Sequence, residues 1–578
     1  MIRSGIKEAL YHMDEINDLE IQSLIRKYAL QNALEYEGKG QMGSALGRLL
    51  SERQDLRPIA KNLMPIVSSE VDLANKMIVE DGPVVVRQRI ESIDPSAVKR
   101  TRQEKRKGLK PLDDTDRGVI LRFAPNPNGP LSLGHSRGVV INHQYAKMYN
   151  GKMVLRYDDT DTVVKPPLVE AYDWIAEDYQ WLTGSKPDVV IRASERMPQY
   201  LKFGEEMLSK GFGYVCECTS DEFKDYRISM TSCPHRSRSV DENLTQWKKM
   251  VQGTMKPGDA VVRVLTDMTL PNPALRDWPA WRIQHKPHPV IGERYRVWPL
   301  LDFQSAIEDH LQGISHIVRG KDLMDSTRKQ MLLYEHFGWV YPHTLYWGRV
   351  SIHGHGSFST SNMREGIESE IYNGWDDVRL PTIKSLRRKG YSAEAITSFW
   401  IEMGITQKDV AIPLDSINAV NSRIIDPTSR RISLVVNPVN IEVIGELPGS
   451  VHIPYHPDRH SVGHREIPLS SRSFLVEESD LSKKFRLKDL ADVEKTGDGF
   501  AFTSDERTDD RPIIHWISCD LQTTCDLVRS EGEEVFIEHC VIEDADLIVG
   551  EVVQLERKGF VRVEEWSEER RTLVWLHR

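Results

Sequence analysis

RFAPNPNGPLSLGH, Arg122 to His135, is the stretch whose reading decides the fold. It overlaps the apolar run GVILRFA, a strand candidate, and turns through prolines and glycines into the helix-compatible run HSRGVVINHQYAKMY. A strand that enters such a turn and leaves as a helix is the building unit of a parallel α/β sheet. The helix N-terminus presents free N–H groups and a partial positive charge, a natural place for phosphate. Gly134 lets a nucleotide approach the backbone closely, and His135, in the first turn, can donate to a phosphate oxygen. One such unit would be weak evidence, since many α/β proteins contain one. Here it repeats: MVLRYDD is a second strand, and VEAYDWIAEDYQWL a second helix, with Val169, Tyr172, Ile175 and Tyr179 at three- and four-residue spacing.

Outward from this core the pattern changes in both directions. Residues 1–95 read as helices, with a break at Gly38 and Gly40 inside IQSLIRKYALQNALEYEGKGQMGSALGRLL. VKRTRQEKRKGLKPL reads as a basic linker, either a solvated charge run or a segment that touches phosphates. Residues 216–290 interrupt the rhythm with a cysteine cluster and the patches PNPAL and HKPHP, and read as an insertion. The α/β pattern resumes at RVWPLLDFQSAIEDHL and GISHIVRGKD; residues 365–410 are helical and basic. From about residue 425 the runs RRISLVVN, NIEVIGEL, SVHIPYH, EVVQLE and FVRVEEW are short strands separated by turns, the signature of β-barrels. The expected fold class is multidomain α/β + β, with segments 1–115, 116–215, 216–292, 293–347, 348–424 and 425–578.

The bulk numbers bound the reading. At roughly 100–200 residues per domain, 578 residues suggest several domains, and 39% hydrophobic with 28% charged residues is a soluble balance. No run approaches the ~20 apolar residues of a membrane span, so no membrane partner is expected. The N-terminus MIRSGIKEALYHMDEINDLE has no apolar signal core, which points to the cytosol. Six cysteines in such a chain are free thiols or metal ligands. The net charge of −10 neither advertises a nucleic-acid binder nor excludes one, because phosphate binding depends on local basic surface.

RFAPNPNGPLSLGH resembles the signature of class I aminoacyl-tRNA synthetases of the glutamyl/glutaminyl subfamily, and the chain as a whole resembles the archaeal-type glutamyl enzymes. In that family the last four signature positions usually read His-Ile-Gly-His; here they are Ser132, Leu133, Gly134 and His135. The resemblance implies a Rossmann-like nucleotide-binding core split by an acceptor-stem insertion, an N-terminal helical domain, and C-terminal β-barrels that read the anticodon. It implies that Arg122 grips the amino-acid carboxylate, with Ala124 and Asn126 beside it, and that Ser132 and His135 stand where catalytic histidines steady the ATP phosphates. LRYDDTD carries the family's acidic motif, so Asp158 takes the substrate's α-ammonium. The local alternative is that Thr160 or Asp161 caps a following helix. Leu301 stands where glutaminyl relatives place a tyrosine that reads the side-chain amide. Arg319 is a candidate bidentate counter-ion for a glutamate carboxylate, with a salt bridge to Asp322 as the alternative.

GRVSIHGHGSFSTSNMREGI resembles the second signature loop, in which Arg349 and Ser361 would meet ATP and Asn362 replaces the family's lysine. GWDDVRLPTIKSLRRKGYSAEAI matches a further family segment, and Arg387, Arg388 and Lys389 would meet tRNA phosphates. Cys216, Cys218, Cys233 and His235 give two ligand pairs suited to tetrahedral Zn²⁺, or else buried thiols beside a surface histidine. EGKGQMGSALGRLL at one end, and IIDPTSRRISLVVNP, HPDRHSVGHREI, RPIIHWISCD and VVQLERKGFVRVE at the other, extend the resemblance over nearly the whole chain. The implied activity is ligation of glutamate to tRNA(Glu), with tRNA(Gln) left open, using ATP with Mg²⁺. A tRNA-binding paralogue without catalysis and a glutamine–tRNA ligase are the alternatives, the first motivated by Ser132, Leu301 and Asn362.

Overall fold

The computed structural model describes residues 19–98, 108–353, 359–497 and 499–578. Residues 1–18, residues 99–107 of the basic run and signature-loop residues 354–358 lie outside the described residues, and so do the readings that fall on them. The chain divides into two compact units, residues 1–106 and 107–578.

Among the described residues of the first unit there are four α-helices: α1 (Leu19–Glu35), α2 (Met42–Glu52), α3 (Ala60–Glu80) and α4 (Gly82–Ile93). Ile21, Ile25, Leu49, Leu63, Val67, Val71, Val86 and Ile90 are buried between them as a core of their own. The break at Gly38 and Gly40 is a clamped loop. Asn32 Oδ1 accepts from Gln41 N (2.6 Å), and Asn75 exchanges two hydrogen bonds with the Gly40 backbone (2.8 and 3.0 Å). These side chains satisfy backbone groups that the turn leaves without ladder partners.

The second unit opens on the unit read from the sequence. β1 (Ile120–Phe123) leads into α5 (Leu133–Met148), β2 (Lys152–Tyr157), α6 (Val169–Thr183), β3 (Val189–Arg192) and α7 (Met197–Ser209). The three strands are parallel, with Arg122 opposite Val154 and Tyr157 opposite Arg192. All of β2 after Lys152 is buried, as expected of a parallel strand covered on both faces. The chain then makes the insertion. β4 (Gly213–Cys216), α8 (Ser220–Ser229), α9 (Val240–Val251), β5 (Val261–Val264), β6 (Pro279–Ile283) and β7 (Val297–Pro299) build a four-stranded antiparallel sheet in sequence order. Its core is aromatic: Trp278, Trp281 and Trp298 are buried.

The α/β core resumes with α10 (Leu301–Leu311), β8 (His316–Gly320), α11 (Met324–Phe337) and β9 (His343–Trp347). β8 lies beside β1, where Ser315 N donates to Ile120 O (3.0 Å) and Ile120 N to Ser315 Oγ (2.8 Å), and β9 pairs parallel with β8. The chain therefore runs outward from β1 to β3, then returns to the other side of β1. The crevice at the carboxyl ends of β1 and β8 is a topological switch point, where such sheets bind ligands. β10 (Val350–His353), α12 (Thr360–Glu368), α13 (Ile383–Lys389), α14 (Ala393–Met403), β11 (Val410–Pro413) and α15 (Leu414–Ile425) follow.

Beyond α15 the chain is β. One seven-stranded sheet runs through Arg431–Ile432, Val552–Leu555, Gly559–Trp566, Arg571–His577, Gln522–Glu531, Glu534–Glu543 and Leu434–Val435. Its first and last strands are two halves of one segment, separated only by Ser433. The other sheet repeats the device, beginning with Ile513–Ile514 and ending with Ile517–Ser518. A broken strand thus supplies both rims of each nearly closed barrel, which leaves little open edge to aggregate.

Candidate active site and metal cluster

At the switch point lies a cavity of about 290 Å³ lined by Arg122, Ala124, Asn126, Asp158, Leu301 and Arg319, together with Arg156, Lys165 and Gln330. The sequence placed the first six there, and the fold brings them together from β1, the turn after it, and the ends or starts of β2, α10 and β8. The floor is a buried ion network. Arg156 pairs with Asp158 (2.7 Å) and Asp309 (2.6 Å), and Arg122 with Asp309 (3.2 Å). Gln304 Nε2 donates to Asp158 Oδ1 (3.0 Å), fixing the carboxylate edge. Burial alone would raise the Asp309 pKa, but Arg122, Arg156 and Arg319 outweigh it and hold the group below its ordinary value. Burial would likewise lower Arg156, yet Asp158 and Asp309 hold it above.

Arg319 differs from the other two arginines. It is 5% exposed, and among the described residues its guanidinium meets only neutral acceptors, Gln330 Oε1 (3.2 Å) and Thr327 Oγ1 (3.4 Å). Its Nε has no hydrogen-bond partner among the described residues, nor has Asn126 Oδ1, also buried on this cavity. Burial, then the neighbouring Arg122, lowers its pKa. The salt bridge to Asp322 considered from sequence is not formed among the described ion pairs. Leu301, the first residue of α10, is 48% exposed at the rim.

Two helix N-termini set the end of the cleft where the sequence reading expects the nucleotide. Ser132 is the N-cap of α5: its Oγ accepts from His135 N, and His135 Nδ1 accepts in return from Ser132 N, both at 3.3 Å. The position that departs from the family histidine is therefore a helix cap. With Nδ1 accepting, the proton of the neutral ring belongs on Nε2. His135 opens onto the cleft, but the protein crowding around it, then the charge of Lys165, lowers its pKa. Backbone bonds from Leu133 N to Pro381 O (2.9 Å) and Ile383 N to Leu131 O (2.7 Å) stitch this turn to the start of α13. A Cβ on Gly129 would come within 2.7 Å of Thr360 Cγ2, so only glycine lets α12 approach so closely. Ser359 caps α12 by accepting from Asn362 N (3.1 Å) and donates to Asn362 Oδ1 (2.8 Å). Gly134, Arg349, Ser361 and Asn362 are all exposed here.

Asp161 does not cap a helix, since α6 begins at Val169 with Leu168 as its N-cap. Its Oδ1 instead accepts from Val163 N and Val164 N (3.0 Å each), and Arg282 pairs with it (2.8 Å). Sequence reading missed Arg156, Gln304 and Asp309. The signal for Arg156 was a charge inside the otherwise apolar run MVLRY; Gln304 and Asp309 sit in a helix where nothing marks them.

Arg387, Arg388 and Lys389, the basic residues expected to meet tRNA, do not share one open face of α13. Lys389 is 9% exposed, and burial lowers its pKa to about 8. Arg388 pairs with Glu564 of the barrel (3.1 Å). Arg387 lies 5.4 Å from the ring centre of Trp181 and 3.7 Å from Asp178. Lys384, three residues earlier, lies 4.6 Å over Trp174. Trp174 and Trp181 are two helical turns apart on α6, so cations and half-buried tryptophans alternate along one strip.

In the insertion, the ligand atoms of Cys216, Cys218, Cys233 and His235 all lie within 4.8 Å of one another. Cys216 and Cys233 Sγ are 3.9 Å apart, and Cys218 Sγ is 3.3 Å from His235 Nδ1. With Zn–S bonds of ~2.3 Å, tetrahedral sulfur atoms stand about 3.8 Å apart, so the donor set fits the ion in kind, number and spacing.

Residues 118–427 match the family described as tRNA synthetases class I (E and Q), catalytic domain, and residues 429–503 match the anti-codon binding domain of the same group. A protein named Glutamate--tRNA ligase from Methanothrix thermoacetophila is 44% identical over 95% of this chain and 98% of its own. One of the same name from Pyrococcus furiosus is 40% identical over 97% of this chain and 100% of its own. The solved structure of a glutamate tRNA ligase from Elizabethkingia meningosepticum covers 53% of this chain and 69% of its own, at 20% identity and a TM-score of 0.37. The chain belongs to the class I tRNA synthetases of the E and Q group.

Proposed function

We propose that the chain is a glutamate–tRNA ligase, which forms glutamyl-adenylate from glutamate and Mg·ATP and then passes the glutamyl group to the terminal adenosine of tRNA. The charge of the cavity carries this reading. On the buried floor of the cavity, Arg122, Arg156 and Arg319 face Asp158 and Asp309, which leaves one positive charge there, apart from Lys165 at the mouth. Glutamate, with two carboxylates and one ammonium, brings the one negative charge that balances it. Glutamine brings none and would leave Arg319 buried and unpaired, which is costly. In this reading Arg319 and Arg122 take the side-chain carboxylate at the floor, Asp158 takes the ammonium, and the α-carboxylate points outward to the phosphates. His135 Nε2–H and the α5 N-terminus hold the ATP phosphates. Aminoacylation of unfractionated tRNA with labelled glutamate and, separately, glutamine tests it, and hybridisation of the charged pool separates tRNA(Glu) from tRNA(Gln). Charging with glutamine alone would overturn it.

Two partners complete the proposal. The tRNA backbone meets the strip of Lys384 and Arg387, with Trp174 and Trp181 beneath. Zinc is held by Cys216, Cys218, Cys233 and His235; with four protein ligands and no open position it secures the insertion's fold and takes no part in the reaction. Reduced thiols suit a cytosolic protein, and no described helix is long and apolar enough to cross a membrane.

A further inference from the structure

The loop between β2 and α6 carries a lysine that the family reading leaves unassigned. Lys165 lines the amino-acid cavity and is exposed at its mouth. Of the five cations on that cavity, Arg122, Arg156 and Arg282 are paired with carboxylates and Arg319 is buried at the floor. Lys165 alone among them is a flexible side chain with no carboxylate within ion-pair distance among the described residues. Its backbone is nevertheless fixed. Asp161 Oδ1 winds the loop by accepting from Val163 N and Val164 N. Asn126 Nδ2 donates to both Asp158 O (3.0 Å) and Lys165 O (3.3 Å), and Leu168 N donates to Pro127 O (2.8 Å). The loop is thereby pinned at two points to the turn that runs from β1 into α5. Lys165 lines the mouth of the cavity that would take glutamate, and its charge, after burial, lowers the pKa of His135 at the start of α5.

We propose that Lys165 is a catalytic residue of glutamate activation, its ammonium neutralising the charge that builds on the α-phosphate. This rests on the glutamate–tRNA ligase reading. In that step a carboxylate oxygen of glutamate forms a bond to the α-phosphorus, and the bond from that phosphorus to the oxygen bridging to the β-phosphate breaks. Pyrophosphate leaves with the electron pair, and no proton moves. A mobile point charge suits this role, because the equatorial oxygens shift as the phosphorus inverts. Asn362, at the opposite helix terminus, offers a neutral amide already engaged with its own cap. Lys165→Met is the test, by ATP–pyrophosphate exchange with glutamate and tRNA present. The exchange kcat should fall about 10²–10³-fold, the loss typical of one donor on developing charge, with the KM for glutamate little changed. Transfer from preformed glutamyl-adenylate to tRNA should keep its rate, and thermal unfolding should not move. An unchanged kcat, a loss confined to the glutamate KM, or an equal slowing of transfer overturns the assignment. A wild type that exchanges with no glutamate at all overturns the ligase reading itself, and this proposal with it.

Discussion

Arg319 is a guanidinium with neutral partners on one side and a cavity on the other. If its missing partner is the side-chain carboxylate of glutamate, Arg319→Gln breaks a buried charge pair worth about 3–5 kcal/mol. kcat/KM for glutamate should fall by roughly two to four powers of ten, while that for ATP changes little; steady-state exchange kinetics checks it. Asn362 gives a prediction of the opposite sign. Lysine there adds charge to the first turn of α12 at the small cost of the bond from Ser359, and should raise the exchange rate by about 10-fold, equivalent to ~1.4 kcal/mol. A rate unchanged in Asn362→Lys would mean that the phosphates lie away from α12. Arg122, Asp158 and Arg319 were legible in the sequence because each sits at the end of a strand in a motif of fixed spacing. Asp309 was not. It lies in LDFQSAIEDHL, where one acid on an amphipathic helix looks like its solvated face, and only the arginines that reach it from β1 and β2, Arg122 and Arg156, show that it faces inward.

Helix α5 owes its start to Ser132, and α6 presents Asp178 to the same turn. Asp178 is buried; its Oδ2 accepts from Leu131 N (3.1 Å), and burial pushes its pKa from 3.8 up to about 7. Between about pH 4 and pH 7 the folded chain therefore holds a proton that the unfolded chain releases, so stability falls as pH rises through that window and is level above it. Asp178→Asn keeps the acceptor for Leu131 N and removes the titration. The melting-temperature gap, variant minus wild type, should grow from about pH 4 to about pH 7 and then stay constant; a gap independent of pH would sink the assignment. In the insertion, the four ligands join β4 and the segment after it to the short helix after Cys233. Stripping metal with a chelator should expose the three thiols to labelling and loosen amide protection over residues 214–238, while β1 and β2 stay protected. Thiols already reactive in the untreated protein, with no zinc by elemental analysis, would refute a metal there. That these four side chains would come together was readable along the chain, because a metal-ligand reading restricts both residue type and spacing. The cap role of Ser132 was hidden, because a serine inside a family signature reads first as a missing catalytic group.

Across the whole molecule, the order of α/β core, insertion and β-rich end was readable from changes in hydrophobic period. How the barrels close was not: Arg431–Val435 and Ile513–Ser518 look like ordinary short strands, and only non-local pairing makes each of them two rims. Charge has the same character. A chain with a net charge of −10 would bind a polyanion through local surface, and the run of Arg387, Arg388 and Lys389 does not present one open face. Arg388 is committed to Glu564 and Lys389 is buried, whereas Lys384 and Arg387 sit over tryptophans on the other side. If that strip carries tRNA phosphates, the double variant Lys384→Ala/Arg387→Ala should bind tRNA more weakly. The slope of log K against log salt should flatten by up to about two units, nearly one for each phosphate that is no longer neutralised. Arg388→Ala should leave the slope alone and lower the melting temperature, because it opens the junction between α13 and the barrel strand Gly559–Trp566. Equilibrium binding at several salt concentrations, beside thermal melts of both variants, separates the two roles. A flattened slope in Arg388→Ala with none in the double variant would move the tRNA track to the barrel side of α13.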